Sequence, residues 1–522
     1  MALLLRDLTL DVSDDEQRLP LVASHFLGVD VKILSHFKIV RRSVDARKKS
    51  RILKVYTVEF SCSDEAGLVD RVASNRLEQL PEKAETVQAR VKDKHHALVV
   101  GMGPAGLFAA KRLAECGVSV TLIDRGRPVE QRIKDVESFW ASAQFDAVSN
   151  VQFGEGGAGT FSDGKLTTRL NHPQRLSVLQ ALVDCGAPED ILIEARPHVG
   201  TDRLRKVVIN FREHLINLGV TVLFEKCLTD LEVHQGRVVG AVFNDGETLA
   251  CDSLVLAPGH SARDTYLMLD RNAVQLEAKG FAVGVRVEHP AELINQIQYG
   301  AFADRLPAAD YALRYNDDES GRGVYSFCMC PGGEVINAAS EVDGLVVNGM
   351  SRMARKGEYS NSALVVTVGP QDWAGDKLGG MHFQQKWERK AFTAGGAGFL
   401  APAQNMMSFV GQGQGVLNSS CRPGVVESEL REVLPDFVYS GLRSALPHFN
   451  RKMKGFLTSE AVLIGVETRT SAPLRITRND RGESVSHPGL YPTGEGAGYA
   501  GGIMSAALDG LRAADQVVES ML

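Results

Sequence analysis

Between Ala97 and Asp124 the chain carries the pattern that most restricts what it can fold into. Ala97-Leu98-Val99-Val100 is a short, wholly apolar run, as expected of a strand inside a parallel sheet. Gly101-Met102-Gly103-Pro104-Ala105-Gly106 follows, then a helical stretch ending at Gly117, then a second apolar strand from Val118 to Ile123 that ends on Asp124. Strand, glycine turn, helix, strand and acidic tip in this order are the βαβ fingerprint of a dinucleotide site. Gly101 permits the tight turn, Gly103 lets backbone approach a pyrophosphate, and Gly106 lets helix and strand pack closely. Pro104 and Ala105 open the helix whose N-terminus faces the phosphates. Asp124 is placed to accept hydrogen bonds from ribose hydroxyls, with Arg125 beside it. A carboxylate there repels a 2′-phosphate, so NADP is disfavoured and both NAD and FAD remain.

Later segments favour FAD. Thr201 to Gly219 reads as a helix and Val220 to Glu225 as the next sheet strand. A three-stranded meander with turns at Gln235-Gly236 and Asp245-Gly246 comes next. It returns through Leu254-Val255-Leu256 to Ala257-Pro258-Gly259. Near the far end, Leu490-Tyr491-Pro492-Thr493-Gly494-Glu495-Gly496-Ala497-Gly498 leads into Gly501-Gly502 and a final helix beginning near Gly501, with Ile503 in its first turn. This order resembles the glutathione-reductase-like FAD-binding fold. The resemblance equates Ala257-Pro258-Gly259 with that family's Ala-Thr-Gly turn, with Pro258 in place of threonine, and Gly494-Glu495 with its closing Gly-Asp motif. It implies that Glu495 binds the ribityl or pyrophosphate region. It also implies that Gly501 and Gly502 bring a helix N-terminus to the flavin, where its partial positive charge favours the reduced form.

A further glycine-dense stretch, Phe153 to Lys165, has no preceding strand that would make a second nucleotide fold. Gly156, Gly157, Gly159 and Thr160 are expected to wrap the cofactor. Lys165 either points toward flavin or substrate, or is an ordinary surface lysine. Gly156 to Leu166, Ala257 to Asp264, Phe327-Cys328-Met329-Cys330-Pro331-Gly332-Gly333, Glu467 to Pro473, the closing Gly494 to Gly502 and Ser43 to Lys48 together resemble the uncharacterised bacterial FAD-dependent dehydrogenases, also described as NAD/FAD-utilizing. The resemblance spans nearly the whole chain and implies a flavin enzyme of unknown substrate.

The expected fold class is α/β. A Rossmann-like FAD-binding domain (95–265 and 485–522) is interrupted by an inserted α+β substrate domain (266–484), with a small N-terminal α/β domain and linker at 1–94. The insert shows strand-like runs at Phe281 to Val287, Gly323 to Met329, Glu334 to Ala339 and Ala363 to Val368, with helices near His382 to Ala394 and Val438 to Met453. In the N-terminal unit, Leu3 to Leu10 reads as a strand and Asp14 to Phe26 as a helix. Val31 to Val40 and Ile52 to Phe60 read as paired strands, and Leu80 to His95 as the linker.

Charge limits the partners. The 58 basic and 64 acidic residues give a net charge of −6, so no global attraction to nucleic acid or anionic lipid is expected. Locally, Lys38 to Lys54 holds Arg41, Arg42, Arg47, Lys48, Lys49 and Arg51 against the single acid Asp45. This is a solvated hairpin tip or a docking patch for RNA or an acidic partner. Eight scattered cysteines suit a reducing compartment, and Arg6 and Asp7 come too early for a signal peptide. A cytoplasmic protein with no membrane span is expected.

Cys328-Met329-Cys330 reads as packing; a strained disulfide or half a metal site are the alternatives, and no further ligands have zinc spacing. Glu467 and Arg469 share a strand face, where they either pair or present a guanidinium to substrate or flavin. His260 is a weaker acid/base candidate. Lys165 and Arg469 are therefore the candidate catalytic residues. No second strand–glycine–helix unit follows, since Gly411 to Gly415 lacks the flanking strand and acidic tip. The expected activity is hydride transfer between a small organic substrate and flavin N5, with NAD(P)H open as a transient reductant. An NAD-linked dehydrogenase and a flavin-containing RNA-binding protein are the alternatives.

Overall fold

The computed structural model describes residues 2–522 apart from 73, 82–89, 92 and 169. Much of the expected linker, Leu80 to His95, thus lies outside the described residues.

The apolar run before the glycine turn forms the middle of a five-stranded parallel sheet. Its order is Leu490–Pro492, Ser253–Leu256, His96–Val100, Ser119–Ile123 and Thr221–Leu223. Alternation sends successive side chains to opposite faces. Ala97 and Val99 enter a core shared with the helices Pro104–Glu115, Thr201–Asn217 and Ile503–Met521. Leu98 and Val100 enter the core beneath the meander Leu228–His234, Arg237–Phe243 and Thr248–Ala250. The expected turns appear with left-handed φ at Gln235, Gly236 and Gly246. The first and last helices pack so closely that a Cβ on Gly510 would lie 2.1 Å from the Ala105 carbonyl oxygen. The α/β class and parallel sheet are as expected.

The insert is built on a seven-stranded sheet. Its order is Arg314–Asn316, Gly323–Cys330, Tyr359–Val368, Phe281–Pro290, Val462–Glu467, Ala401–Asn405 and Val425–Glu427. All neighbours are antiparallel except the last pair. Glu334–Asn337 instead pairs with Val347–Met350 in a separate ribbon. The helix Asp436–Lys452 covers one face with Val438, Leu442, Ala445 and Phe449. The strand Ala401–Asn405 was not anticipated, and Val462–Glu467 ends at Glu467, so Arg469 lies beyond it and does not share its strand face as expected. Both are buried throughout and carry no alternation to mark them.

The N-terminal unit is a four-stranded antiparallel sheet, in the order Ser35–Asp45, Leu53–Ser61, Ala2–Asp11 and Leu77–Leu80. Leu19–Leu27 and Glu65–Val72 are its helices. The basic hairpin makes specific internal contacts. Arg42 exchanges backbone hydrogen bonds with Ile193 and Ala195 of the portion built on the parallel sheet. Its guanidinium donates to Glu194, Glu16 and Asp190 at 2.8–3.0 Å. Lys38 and Arg47 pair with Glu59 and Asp45. No helix among the described residues is long and apolar enough to cross a membrane.

Candidate functional site

A cleft of about 1530 Å³, its open mouth included, runs along the carboxyl edge of the parallel sheet and out against the inserted sheet. Its first wall is the glycine turn. Gly101 has φ 102°, and a Cβ there would stand 2.2 Å from the Ala257 carbonyl oxygen, so the strand ends approach at a distance only glycine tolerates. Gly106 lies behind the wall: its Cβ would meet the Gly101 oxygen at 1.8 Å. Gly103 is different. Its backbone is extended at φ −74°, and its Cβ would project into open space. Pro104 and Ala105 continue this wall, and no side chain caps the helix they begin.

Asp124 closes the end of the cleft beside the glycine turn. Its two oxygens accept from the Met102 and Gly126 amides at 2.8 and 2.9 Å, and the residue still lines the cleft. Each carboxylate oxygen keeps a second lone pair for a ribose hydroxyl. Arg125 is clamped by both oxygens of Asp264 at 2.9 Å, with its guanidinium over the Phe153 ring.

The glycine-dense loop supplies the opposite wall through Gly157 and Gly159. It is organised by a residue that the sequence did not single out. Arg132 is fully buried, and its guanidinium donates to the carbonyls of Asn150, Val151, Gly154 and Glu155 at 2.6–3.2 Å. Four outward carbonyls thus turn round one cation, which leaves the glycines facing the cleft. Gly156 and Thr160 serve the loop itself and do not line the cleft: Thr160 is buried with its hydroxyl on the Glu155 carbonyl. Burial pushes the Glu155 carboxyl up to about 7, although one oxygen accepts from the Val129 amide at 2.8 Å.

Ala257 and Gly259 follow the Ser253–Leu256 strand, and Gly494 and Glu495 follow the Leu490–Pro492 strand; all four line the cleft. Burial raises Glu495 to about 7, against the Gly502 amide and Lys279, which lower it. Gly502 and Ile503 bring in the last helix, which likewise has no side-chain cap at its N-terminus. Gly501 lies outside the lining, its amide on the Ser505 hydroxyl.

The far end is densely charged. Glu388 is fully buried between Arg263 and Arg469, accepting from both at 2.7–3.0 Å. The two guanidiniums hold its carboxyl far below the usual range against the cost of burial. Arg469 also donates to Ser261 and Ser340, so most of its N–H groups are committed inside the protein. Glu467 pairs with Arg286 (2.5 Å) and not with Arg469. Lys165 lines the cleft and its ammonium donates to the Met329 carbonyl. Burial and the two arginines lower His260 to about 4, and its Nδ1 meets the Ser261 hydroxyl at 2.9 Å. Cys328, expected to pack, lines the cleft with Phe327, while Cys330 is fully buried. The signal for Cys328 was its odd spacing; nothing in the sequence pointed to Arg132 or Glu388, whose partners lie 18 to 125 residues away along the chain.

The cradle suits a long diphosphate ligand. Two helix N-termini without side-chain caps and several bare glycines converge on one cleft. A family model described as an FAD binding domain matches residues 96–162, and one described as an FAD-dependent protein, C-terminal domain-like, matches 280–470. A domain of unknown function matches 5–61. A protein of Clostridium beijerinckii described as uncharacterized is 45% identical over 528 residues, covering 99% of each chain. The chain belongs to that protein's family. The cofactor of this family member is FAD, which settles the FAD-or-NAD alternative left by the glycine turn. Solved structures similar to it include the flavin-dependent brominase Bmp2 (14% identity, 82% of this chain and 80% of that chain, TM-score 0.39). A glycine oxidase from Bacillus cereus is similar at 11% identity, over 82% of this chain and 96% of that chain, with a TM-score of 0.33.

Proposed function

We propose that the protein is an FAD-dependent oxidoreductase acting on a small organic substrate by hydride transfer. The observation that carries this reading is the composition of one continuous cleft. Its nucleotide end is glycine, helix N-termini and Asp124; its other end brings Lys165, His260 and Cys328 to the same space. When bound, FAD supplies a two-electron hydride acceptor. The amides of the helices starting at Pro104 and Ile503 would hold its negative charge, the first at the diphosphate and the second at the ring system. Asp124 would take the ribose hydroxyls and Glu495 the ribityl or pyrophosphate region.

Lys165 uses one N–H on Met329 and keeps two to orient a substrate oxygen or hold it as an anion. His260 is uncharged at neutral pH, and its Nδ1 is held against the Ser261 hydroxyl at 2.9 Å, which places the ring at the cleft to exchange a proton with substrate. Arg469 acts through position: its bonds to Glu388, Ser261 and Ser340 tie the insert to the turn after Ala257-Pro258-Gly259.

The parallel sheet at 96–256 and 490–492 is the only one of its kind among the described residues, so a disulfide-reductase-type nicotinamide domain has no counterpart there. Residues 411–415 form an irregular loop after a short helix. A nicotinamide nucleotide, if it is the donor, reaches the flavin from the open mouth. The test is anaerobic loss of flavin absorbance on mixing with metabolite pools and, separately, NADH and NADPH. Bleaching by one organic compound names the donor. Bleaching by NADH or NADPH alone would overturn the direct oxidation of an organic substrate.

A further inference from the structure

Cys328 sits at a break in the inserted sheet. Phe327 faces Ala363 and Cys330 faces Asn361, so Cys328 and Met329 stand opposite Ser362 alone. Two residues against one is a β-bulge, a device that re-aims side chains beside active sites. Cys328 adopts φ 44°, which a non-glycine residue holds only when its surroundings impose it. The result is that Cys328 lines the cleft while Cys330 lies behind it, fully buried.

The Cys330 thiol donates to the Cys328 carbonyl at 3.5 Å, so the two residues are immediate neighbours. Cations frame them. Arg286, fully buried, donates to the Cys328 carbonyl at 2.8 Å, and Lys165 donates to the carbonyl of Met329 between them. Glu467 and Glu495 face the same space, and Arg286 pairs with Glu467. The Cys330 bond and the two cations pull the Cys328 thiol well below the usual thiol range. Burial pushes Cys185, Cys251 and Cys421 the other way, as in inert structural cysteines. No group of three metal-ligating side chains occurs among the described residues.

We propose that Cys328 and Cys330 are a redox-active dithiol that exchanges an electron pair with the flavin of the same cleft. The bulge keeps the two residues together: the Cys330 sulfur lies 3.5 Å from the carbonyl oxygen of Cys328 itself. In the oxidising direction the Cys328 thiolate and the Cys330 thiol form the Sγ–Sγ bond, and the Cys330 S–H bond breaks. The two electrons lost by sulfur reduce FAD, and the proton from Cys330 goes with them. The reverse step opens the disulfide at the expense of reduced flavin. The pair thereby stores a second electron pair beside the cofactor.

This inference rests on FAD occupying the cleft, and the test separates the two. FAD-loaded protein is oxidised with a mild thiol oxidant and titrated anaerobically with dithionite. Wild type is expected to take up about four electrons per flavin, and Cys328→Ser and Cys330→Ser about two. Alkylation under denaturing, non-reducing conditions followed by mass spectrometry supplies a second readout that needs no variant. The 328–330 peptide should be unmodified after oxidation and doubly alkylated after reduction. Two electrons in wild type, with both thiols alkylated after oxidation, would overturn the dithiol while leaving the flavin site intact. Protein that takes up no FAD would overturn the site itself.

Discussion

Two glycines of one turn should respond oppositely to an added side chain. Gly103→Val puts its methyls into the cleft, because the backbone there is extended (φ −74°, ψ 178°) and a Cβ meets nothing within 4 Å. Losing glycine at a helix N-cap costs about 0.5–1 kcal/mol, and stiffening the unfolded chain returns about 0.4–1 kcal/mol. The apoprotein should therefore melt within a few degrees of wild type. A bound diphosphate would lose its approach to the amides, and charge-assisted hydrogen bonds contribute about 1.5–3 kcal/mol each. Two such bonds amount to about 3–6 kcal/mol, or roughly 10²- to 10⁴-fold in affinity at about 1.4 kcal/mol per decade. Quenching of FAD fluorescence by titrated apoprotein measures the affinity, and thermal unfolding of both apoproteins measures the stability. Wild-type affinity in Gly103→Val would refute the placement of the diphosphate. Gly106→Ala is the counterpart: its Cβ would lie 1.8 Å from a backbone oxygen, so misfolding is expected whether or not FAD is present.

Glu388→Gln leaves Arg263 and Arg469 without their buried counter-charge and should destabilise by about 3–5 kcal/mol at pH 7. Because this carboxyl is depressed in the fold, its contribution is full above the ordinary carboxylate range and fades as pH falls through it. The gap in denaturant stability between wild type and variant must narrow in acid, and a constant gap would count against the ion-pair origin. Glu155 behaves with opposite sign: its carboxyl is raised to about 7, so wild type loses stability as pH climbs from about 4.5 to 7. Glu155→Gln should gain about 1–3 kcal/mol on wild type between pH 5 and pH 8, and denaturation curves at both values check it. Arg42→Ala removes the guanidinium held by Glu16, Asp190 and Glu194. It should speed proteolysis near residue 80 several-fold with flavin content unchanged; equal digestion rates would show that Arg42 does not fasten the N-terminal sheet.

The fingerprint at 97–124 was readable because every part of it is local: four apolar residues, a turn needing glycine, one helix and an acidic tip within 28 positions. The same holds for the meander, whose turns carry their own backbone chemistry, and for the strand Phe281–Pro290, whose apolar side chains announce it. The closing Gly494-Glu495 and the helix at Ile503 were placed by resemblance, and the fold brings them to the first turn through a parallel pairing of Leu490–Pro492 with Ser253–Leu256. What no local pattern contained was the pairing of charges. Glu467 and Arg469 are two apart in sequence, yet Glu467 goes to Arg286 and Arg469 to Glu388. A buried charge takes whichever opposite charge and hydrogen bonds the packed elements bring within reach, and sequence spacing does not encode that. The bulge at Cys328 belongs to the same category. A C-x-C pair reads as two residues on one strand face, and only the register against Ala363 and Asn361 turns one thiol to the cleft and leaves the other behind it.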